Sequence, residues 1–292
     1  MDDLALGYQE ICQGWSQGKL KGETVLFRHA TPFDNFKITK AREESLRWAK
    51  SHNFPSREEA LARAYKEGSW TEEQERELTS NQENLKTFWA TRNKPKTIPS
   101  NDKSLFNAVR SFHQNIDDYR EMIDSSLALK FSALGENQET YASSKAFDME
   151  VCTLSQKLDE SPLVSLDEFY DNDFPTEILK SQYYLNVSRL DHQFLQKLSV
   201  SDFFFSVFDH YIENSSDFFR KRGYELTNNQ VSLLTEGKRF NNVVKNAGNA
   251  PADFYDDPIK LETLAIFRSN GNSQKEDSII DMAADAQRHK IN

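Results

Sequence analysis

Leu105, Val109, Phe112, Ile116, Tyr119, Ile123 and Leu127 recur at intervals of four and three residues, so they draw one apolar stripe down a long helix. A stripe of this kind must be covered. Just upstream, residues 71–89 are charged or polar except for Leu78, Leu85, Phe88 and Trp89, which again fall at helical intervals. Between the two segments, residues 92–100 carry Pro95 and Pro99. Proline lacks a backbone donor and clashes with the preceding turn, so the helix cannot run through them. The pattern predicts an antiparallel helical hairpin over residues 71–134, on the order of 30 Å or more long at ~1.5 Å per residue. A projecting hairpin is a device for holding partners.

Elsewhere the period changes. Leu4, Leu6, Tyr8, Ile11, Cys12 and Trp15 form a short amphipathic helix that closes near Gly14 to Gly18. Residues 22–29 are rich in β-branched and aromatic side chains after an opening glycine, which predicts one strand at 23–28. A lone strand must be paired by a second strand of this chain, by another copy or by another protein. From Phe33 a helical stripe resumes through Phe36, Ile38, Ala41, Leu46 and Ala49 until Asn53 to Pro55 stops it. Ser56 with Glu59, Thr71 with Gln74 and Ser165 with Glu168 have the spacing of capping boxes, and Gly68 closes the helix that Ser56 opens. Gly135 to Gln138 breaks the hairpin, and a helix follows from about Gln138 to Thr153. Beyond Thr176 nearly everything has a helical pattern, with breaks at Leu198 to Ser201, Gly223, Gly248 to Pro251 and Pro258. The fold expected is mainly α, a multi-helix protein with a long antiparallel hairpin and a small N-terminal β element. Its regions are residues 1–70, a strand with helices; 71–134, the hairpin; 135–270, a C-terminal helical domain; and 271–292, a polar tail expected to fray.

Charge narrows the partners. Against 36 Lys and Arg stand 46 Asp and Glu, a formal charge of −10, which opposes general affinity for nucleic acid or anionic membranes. Arg92, Lys94, Lys96 and Lys103 form a local basic exception and the basis of a weaker nucleic-acid reading, whose binding would fall steeply with salt. Mean hydropathy is −0.74, and no run approaches the ~20 apolar residues of a spanning helix, so no membrane insertion is expected. The chain starts with acids where a secretory leader carries bases, so no export is expected either. Cys12 and Cys152 form no paired motif and fit free thiols in a reducing compartment.

No motif for chemistry stands out. The six histidines lack metal-binding spacing, and the neighbours Asp191–His192 and Asp209–His210 point different ways on a helix. There is no nucleophile elbow, phosphate loop or dinucleotide fingerprint. Acidic pairs such as Glu72–Glu73 and Asp256–Asp257 suit helix starts, where they oppose the dipole. No catalytic residue, cofactor or metal ligand is therefore assigned. The alternative is a metal-dependent hydrolase whose Asp, Glu and His residues only folding brings together. The aromatic run Phe203, Phe204, Phe205 and Phe208, followed by Tyr211, Phe218, Phe219 and Tyr224, fits core packing. Three consecutive phenylalanines cannot all face one core, so one should meet a second surface. The candidate partner-binding residues are Val25, Phe27, Ile116, Ile123, Phe203, Phe204 and Phe205.

In the order of its segments the chain resembles a family from contractile-tailed bacteriophages described as tail assembly chaperones or baseplate hub proteins. The pieces that carry the resemblance are residues 21–29, 58–61, 67–73, 139–142, 198–204, 217–219, 225–231, 237–240 and 256–258, and the turn Gly68-Ser69-Trp70-Thr71-Glu72-Glu73 is the most specific. Where such proteins tend to show Phe-Tyr-Gly-Lys-Pro, this chain has Phe219-Arg220-Lys221-Arg222-Gly223. The resemblance brings no catalytic residues. It implies a non-enzymatic tail or baseplate protein acting through contacts with other tail proteins, tape-measure or hub subunits among them, with a homo-oligomer as a further option. Its place would be the host cytoplasm during assembly, or the virion tail.

Overall fold

The computed structural model describes residues 3–93, 101–171 and 174–270, apart from the side chain at 216. In chain order these form α1 (Asp3–Gln13), β1 (Trp15–Leu20), β2 (Glu23–Arg28), α2 (Pro32–Ser51), α3 (Arg57–Glu67), α4 (Glu72–Arg92), α5 (Asp102–Leu134) and α6 (Gln138–Leu154). Then come β3 (Ser155–Gln156), α7 (Leu166–Phe169), α8 (Thr176–Val187), α9 (His192–Val200), α10 (Asp202–Phe208), α11 (Asn228–Ala247) and α12 (Ala252–Tyr255). A last helix, α13, covers residues 258–270. The chain is mainly α with a small antiparallel sheet near its start, as the periodicity predicts. Lys94, Lys96, the proline-bearing bend and the polar tail lie outside the described residues.

Two compact units emerge, each assembled from separate stretches of sequence. One joins the residues up to Ser69 to Ser132–Arg239, and the other joins Trp70–Phe131 to the residues from Phe240 on. The four consecutive regions read from the sequence do not follow this division, because long-range packing ignores chain order.

In the first unit, α1 stops at Gln13 and the chain turns at Gly14, whose φ of +84° suits glycine. The expected helix therefore ends early, and Trp15–Leu20 becomes a strand. Lys21 and Gly22 both have positive φ, as a two-residue type I′ hairpin turn requires, and they join β1 to β2 with Leu20 opposite Glu23. On its other edge β2 pairs with β3, Phe27 opposite Ser155. Its partners are thus supplied within the chain, and the strand is central in a three-stranded sheet of order β1-β2-β3. Consecutive Val25, Leu26 and Phe27 are all buried, as a strand covered on both faces demands. Val25 and Phe27 join Val151, Leu154, Phe169, Leu179 and Tyr183 in one core cluster. A second cluster gathers Ile11, Leu190, Leu195, Leu198, Phe204, Phe208 and Leu233. The helical pattern expected after Thr176 gives way between Asp209 and Glu225 to short 3₁₀ turns.

The expected caps are present at Ser56–Glu59, Thr71–Gln74 and Ser165–Glu168, and Gly68 adopts φ 72° at the end of α3. Each box satisfies helix-end donors that would otherwise have no partner. Thr31–Asp34 and Asn137–Thr140 form further boxes whose third residues are Asp and Thr, outside the Glu or Gln signature.

In the second unit, α4 and α5 run antiparallel. Glu75 near the start of α4 meets Lys130 near the end of α5 at 2.6 Å, while Phe88 stacks on Phe112 at 4.8 Å. Leu105, Val109, Ile116 and Ile123 are buried as expected. The stripe departs from the sequence reading at His113 and Lys130, which are buried, and at Leu127, which is 39% exposed. Burial of Lys130 is tolerated because the Glu75 carboxylate answers its charge.

Candidate functional site

The seven side chains proposed for partner contact do not form one surface. Val25, Phe27 and Phe204 are buried in the first unit, and Ile116 and Ile123 in the second. They are core: Val25 and Phe27 pack with Val151, Leu154, Leu179 and Tyr183, Phe204 packs with Phe208 and Leu198, and Ile116 and Ile123 are buried. Phe205 is half-buried and Phe203 is exposed, its ring edge-on to Tyr8 at 5.6 Å. Of the consecutive phenylalanines, then, Phe203 reaches a second surface.

The chemistry-bearing groups are held in buried pairs. Ser16 on β1 donates its hydroxyl to Glu10 on α1 at 2.9 Å, and Glu10 also pairs with Arg189. His29, just past β2, lies with Nε2 at 3.0 Å from the same Ser16 oxygen. Because the serine proton is directed at Glu10, the neutral imidazole must carry its own proton on Nε2 and donate it to Ser16. Nδ1 is left with no hydrogen-bond partner. In a nucleophilic triad the imidazole takes the serine proton and an acid holds its far nitrogen; here the acid holds the serine. Burial, followed by the charges of Arg189 and Lys221, pushes the His29 pKa down to about 4. The cluster knits α1 to the sheet.

A second cluster centres on Asp148 of α6, which is 2% exposed. Lys180 of α8 approaches it at 2.7 Å, Lys145 at 3.4 Å, and the Tyr170 hydroxyl donates to it at 3.1 Å. The carboxylate is enclosed by donors and serves to fasten α6 to α8. A cavity of about 290 Å³ in the same unit is lined by Leu163, Val164, Glu168, Asp171 and Phe174. In the second unit Arg92, read from sequence as a loop cation, ends α4, pairs with Glu262 at 2.8 Å and lies over the Trp89 ring. His113 lies 3.0 Å from the Thr263 hydroxyl, and burial likewise lowers its pKa to about 4. Asp191 caps α9 through the Phe194 amide, and His210 bonds the Ser206 carbonyl through Nδ1, so both acid–histidine neighbours serve local structure. The cysteines are free. Among the described residues no group of three or more His, Cys, Asp or Glu is placed to hold a metal, and no helix is long and apolar enough to cross a membrane.

The surface best suited to contact is the outer side of α2. Phe33 and Phe36 are 67% and 68% exposed, one turn apart, with Lys37 over the Phe33 ring at 5.0 Å. In the sequence the helical stripe starts at Phe33 and runs through Phe36 to Ala49; in the folded chain Ala49 keeps its inward place, and at the start of the helix Asp34 faces inward where the two phenylalanines were expected. Arg28 explains the exchange. Its guanidinium grips both Asp34 oxygens at 2.7 and 2.9 Å while Thr31 donates to the same carboxylate, so a charged residue turns inward and the phenylalanines turn out. Burial alone would raise the Asp34 pKa, but Arg28 and Thr31 hold it at about 2. The start of the helix is thus pinned and its two aromatic rings are presented to solvent. No protein-family model matches the chain, and neither a curated protein nor a solved structure matches it.

Proposed function

We propose that this chain is a non-enzymatic tail or baseplate protein of a contractile-tailed phage, acting in assembly or in the particle by holding other proteins. The tail assignment comes from the segment-by-segment resemblance; the contact role is carried by one observation, the pair Phe33 and Phe36 standing in solvent on a helix start locked by Arg28, Thr31 and Asp34. Two large apolar rings on a rigid backbone lose little conformational freedom when covered, which is what a contact surface needs. Its partners would be tail proteins such as hub or tape-measure subunits, met in the host cytoplasm.

Affinity-tagged chain recovered from infected cells is expected to bring a tail or baseplate component with it, and the variant carrying Phe33→Ser and Phe36→Ser is expected to lose that component. Recovery of no tail component by the unaltered chain would overturn the proposal. Mass spectrometry of finished virions then separates a transient helper, absent from the particle, from a permanent part.

A further inference from the structure

Along the outer side of α2 the charges change sign twice. Lys37 and Lys40 follow Phe33 and Phe36, Glu43 and Glu44 come next, and Arg47 and Lys50 lie near the end of the helix, all of them exposed. At 3.6 residues per turn they fall within one arc, opposite buried Ala49. Trp48 lies at the edge of that arc and is engaged within the chain, stacked on His52 at 3.9 Å and on Tyr141 at 5.0 Å. Asp34 is held inward by Arg28. From its start, then, the face is apolar, basic, acidic and basic.

Each class of partner meets this order differently. A second copy in register sets like charge against like in either direction, because the charges have the same order from both ends. Nucleic acid or an anionic bilayer presents one sign throughout and would meet Glu43 and Glu44 midway. One face of the Phe33 ring is also taken by the Lys37 ammonium at 5.0 Å, so a base cannot stack there. A protein segment alone can change its charge from residue to residue.

Resting on the contact reading above, and naming the chemistry of its partner, we propose that the outer side of α2 docks an amphipathic helix of a different protein, apolar at one end and then acidic, basic and acidic in turn. A helix laid along α2 shares its rise per residue, so the two orders stay in step. The two acidic positions of the partner stand about 15 Å apart, since Lys37 to Arg47 and Lys40 to Lys50 are each ten residues at ~1.5 Å apiece. Phe33 and Phe36 supply apolar contact, and the charges select the partner and its direction. Lys40 and Glu44 are available for this. They lie 3.9 Å apart with side chains 64% and 56% exposed, and an exposed pair of this kind is worth so little that both can turn to a partner.

The photo-crosslinking residue p-benzoylphenylalanine, put in place of Phe36 in the full chain within the cells that naturally make it, is expected to join a segment of another protein carrying that order, read by mass spectrometry of the crosslinked peptide. With the captured protein purified, Lys37→Glu together with Lys40→Glu should weaken binding about tenfold or more, and changing the facing acids of the captured segment to lysine should restore it. Glu43→Lys together with Glu44→Lys should also weaken binding, whereas a uniform polyanion would bind that variant more tightly. All four positions are exposed, and an unchanged circular dichroism melt confirms that the variants fold; the crosslink itself needs none of them. A crosslink to a second copy, to nucleic acid, to lipid or to nothing, a captured segment without that order, or tighter binding by the Glu43→Lys, Glu44→Lys variant would each overturn the inference. A captured segment from a protein outside the tail sinks only the tail reading, whereas a tail component held equally well by both charge variants sinks only this inference.

Discussion

His29 and His113 are neutral imidazoles placed where a charge is unwelcome, each against a hydroxyl and each with its pKa lowered to about 4. Unfolding returns them to the ordinary value near 6.5, so between pH ~6.5 and 4 the unfolded chain binds more protons than the folded one. Their stabilising contribution is whole above that range and is lost as pH falls through it. For His29 the loss is on the order of 3 kcal/mol by pH 4. Urea titrations from pH 7.5 to 4.5 are expected to show stability falling with acid, and less steeply in His29→Gln; an identical slope in that variant would mean His29 is protonated in the folded chain. Gly237 makes a different demand. A Cβ there would lie 2.7 Å from the ring of Phe208, which is itself 1% exposed. Alanine gains about 1 kcal/mol of helix propensity but forces an overpacking cost of about 1 to 3 kcal/mol. Gly237→Ala is expected to lower the urea midpoint, and a rise would show that the Phe208 ring gives way.

At the scale of elements, capping and periodicity carry much of the fold. α3 begins and ends where Ser56, Glu59 and Gly68 place it, since these residues answer backbone groups within a turn of themselves. The hairpin was equally legible, because Leu105, Val109, Ile116 and Ile123 repeat over many turns. Ile116 is fully buried in that seam. Ile116→Asp places an unpaired charge in an apolar site and is expected to cost several kcal/mol, about 3 or more, read as a large drop in melting temperature. A melt within error of the unaltered chain would show the seam open to solvent. The elements that sequence missed were short or weakly patterned. β1 is Trp-Ser-Gln-Gly-Lys-Leu, without a β-branched residue, and it is a strand because β2 offers it hydrogen bonds across a two-residue turn. β3 is two residues long and no periodicity can announce it.

For the whole molecule, the discontinuous units make the acid response a shared one. His29 belongs to the first and His113 to the second, so either single variant should keep a residual slope and only the double variant should approach a flat one. The chain's periodicity and caps determined that it is mainly α, that α4 and α5 form an antiparallel pair and where most helices start, because these properties depend on residues within a turn or two of each other. Which apolar side chains stay in water depended on distant partners. Phe33 and Phe36 turned outward once Arg28 drew Asp34 in, Val25 and Phe27 are buried because Val151, Leu154, Leu179 and Tyr183 of α6 and α8 pack against them, and Lys130 entered the hairpin because Glu75 was there to receive it. Local pattern sets the helices; the free-energy balance between burying a ring and pairing a charge across the fold is a tertiary quantity, and that balance chose the surface left for contact.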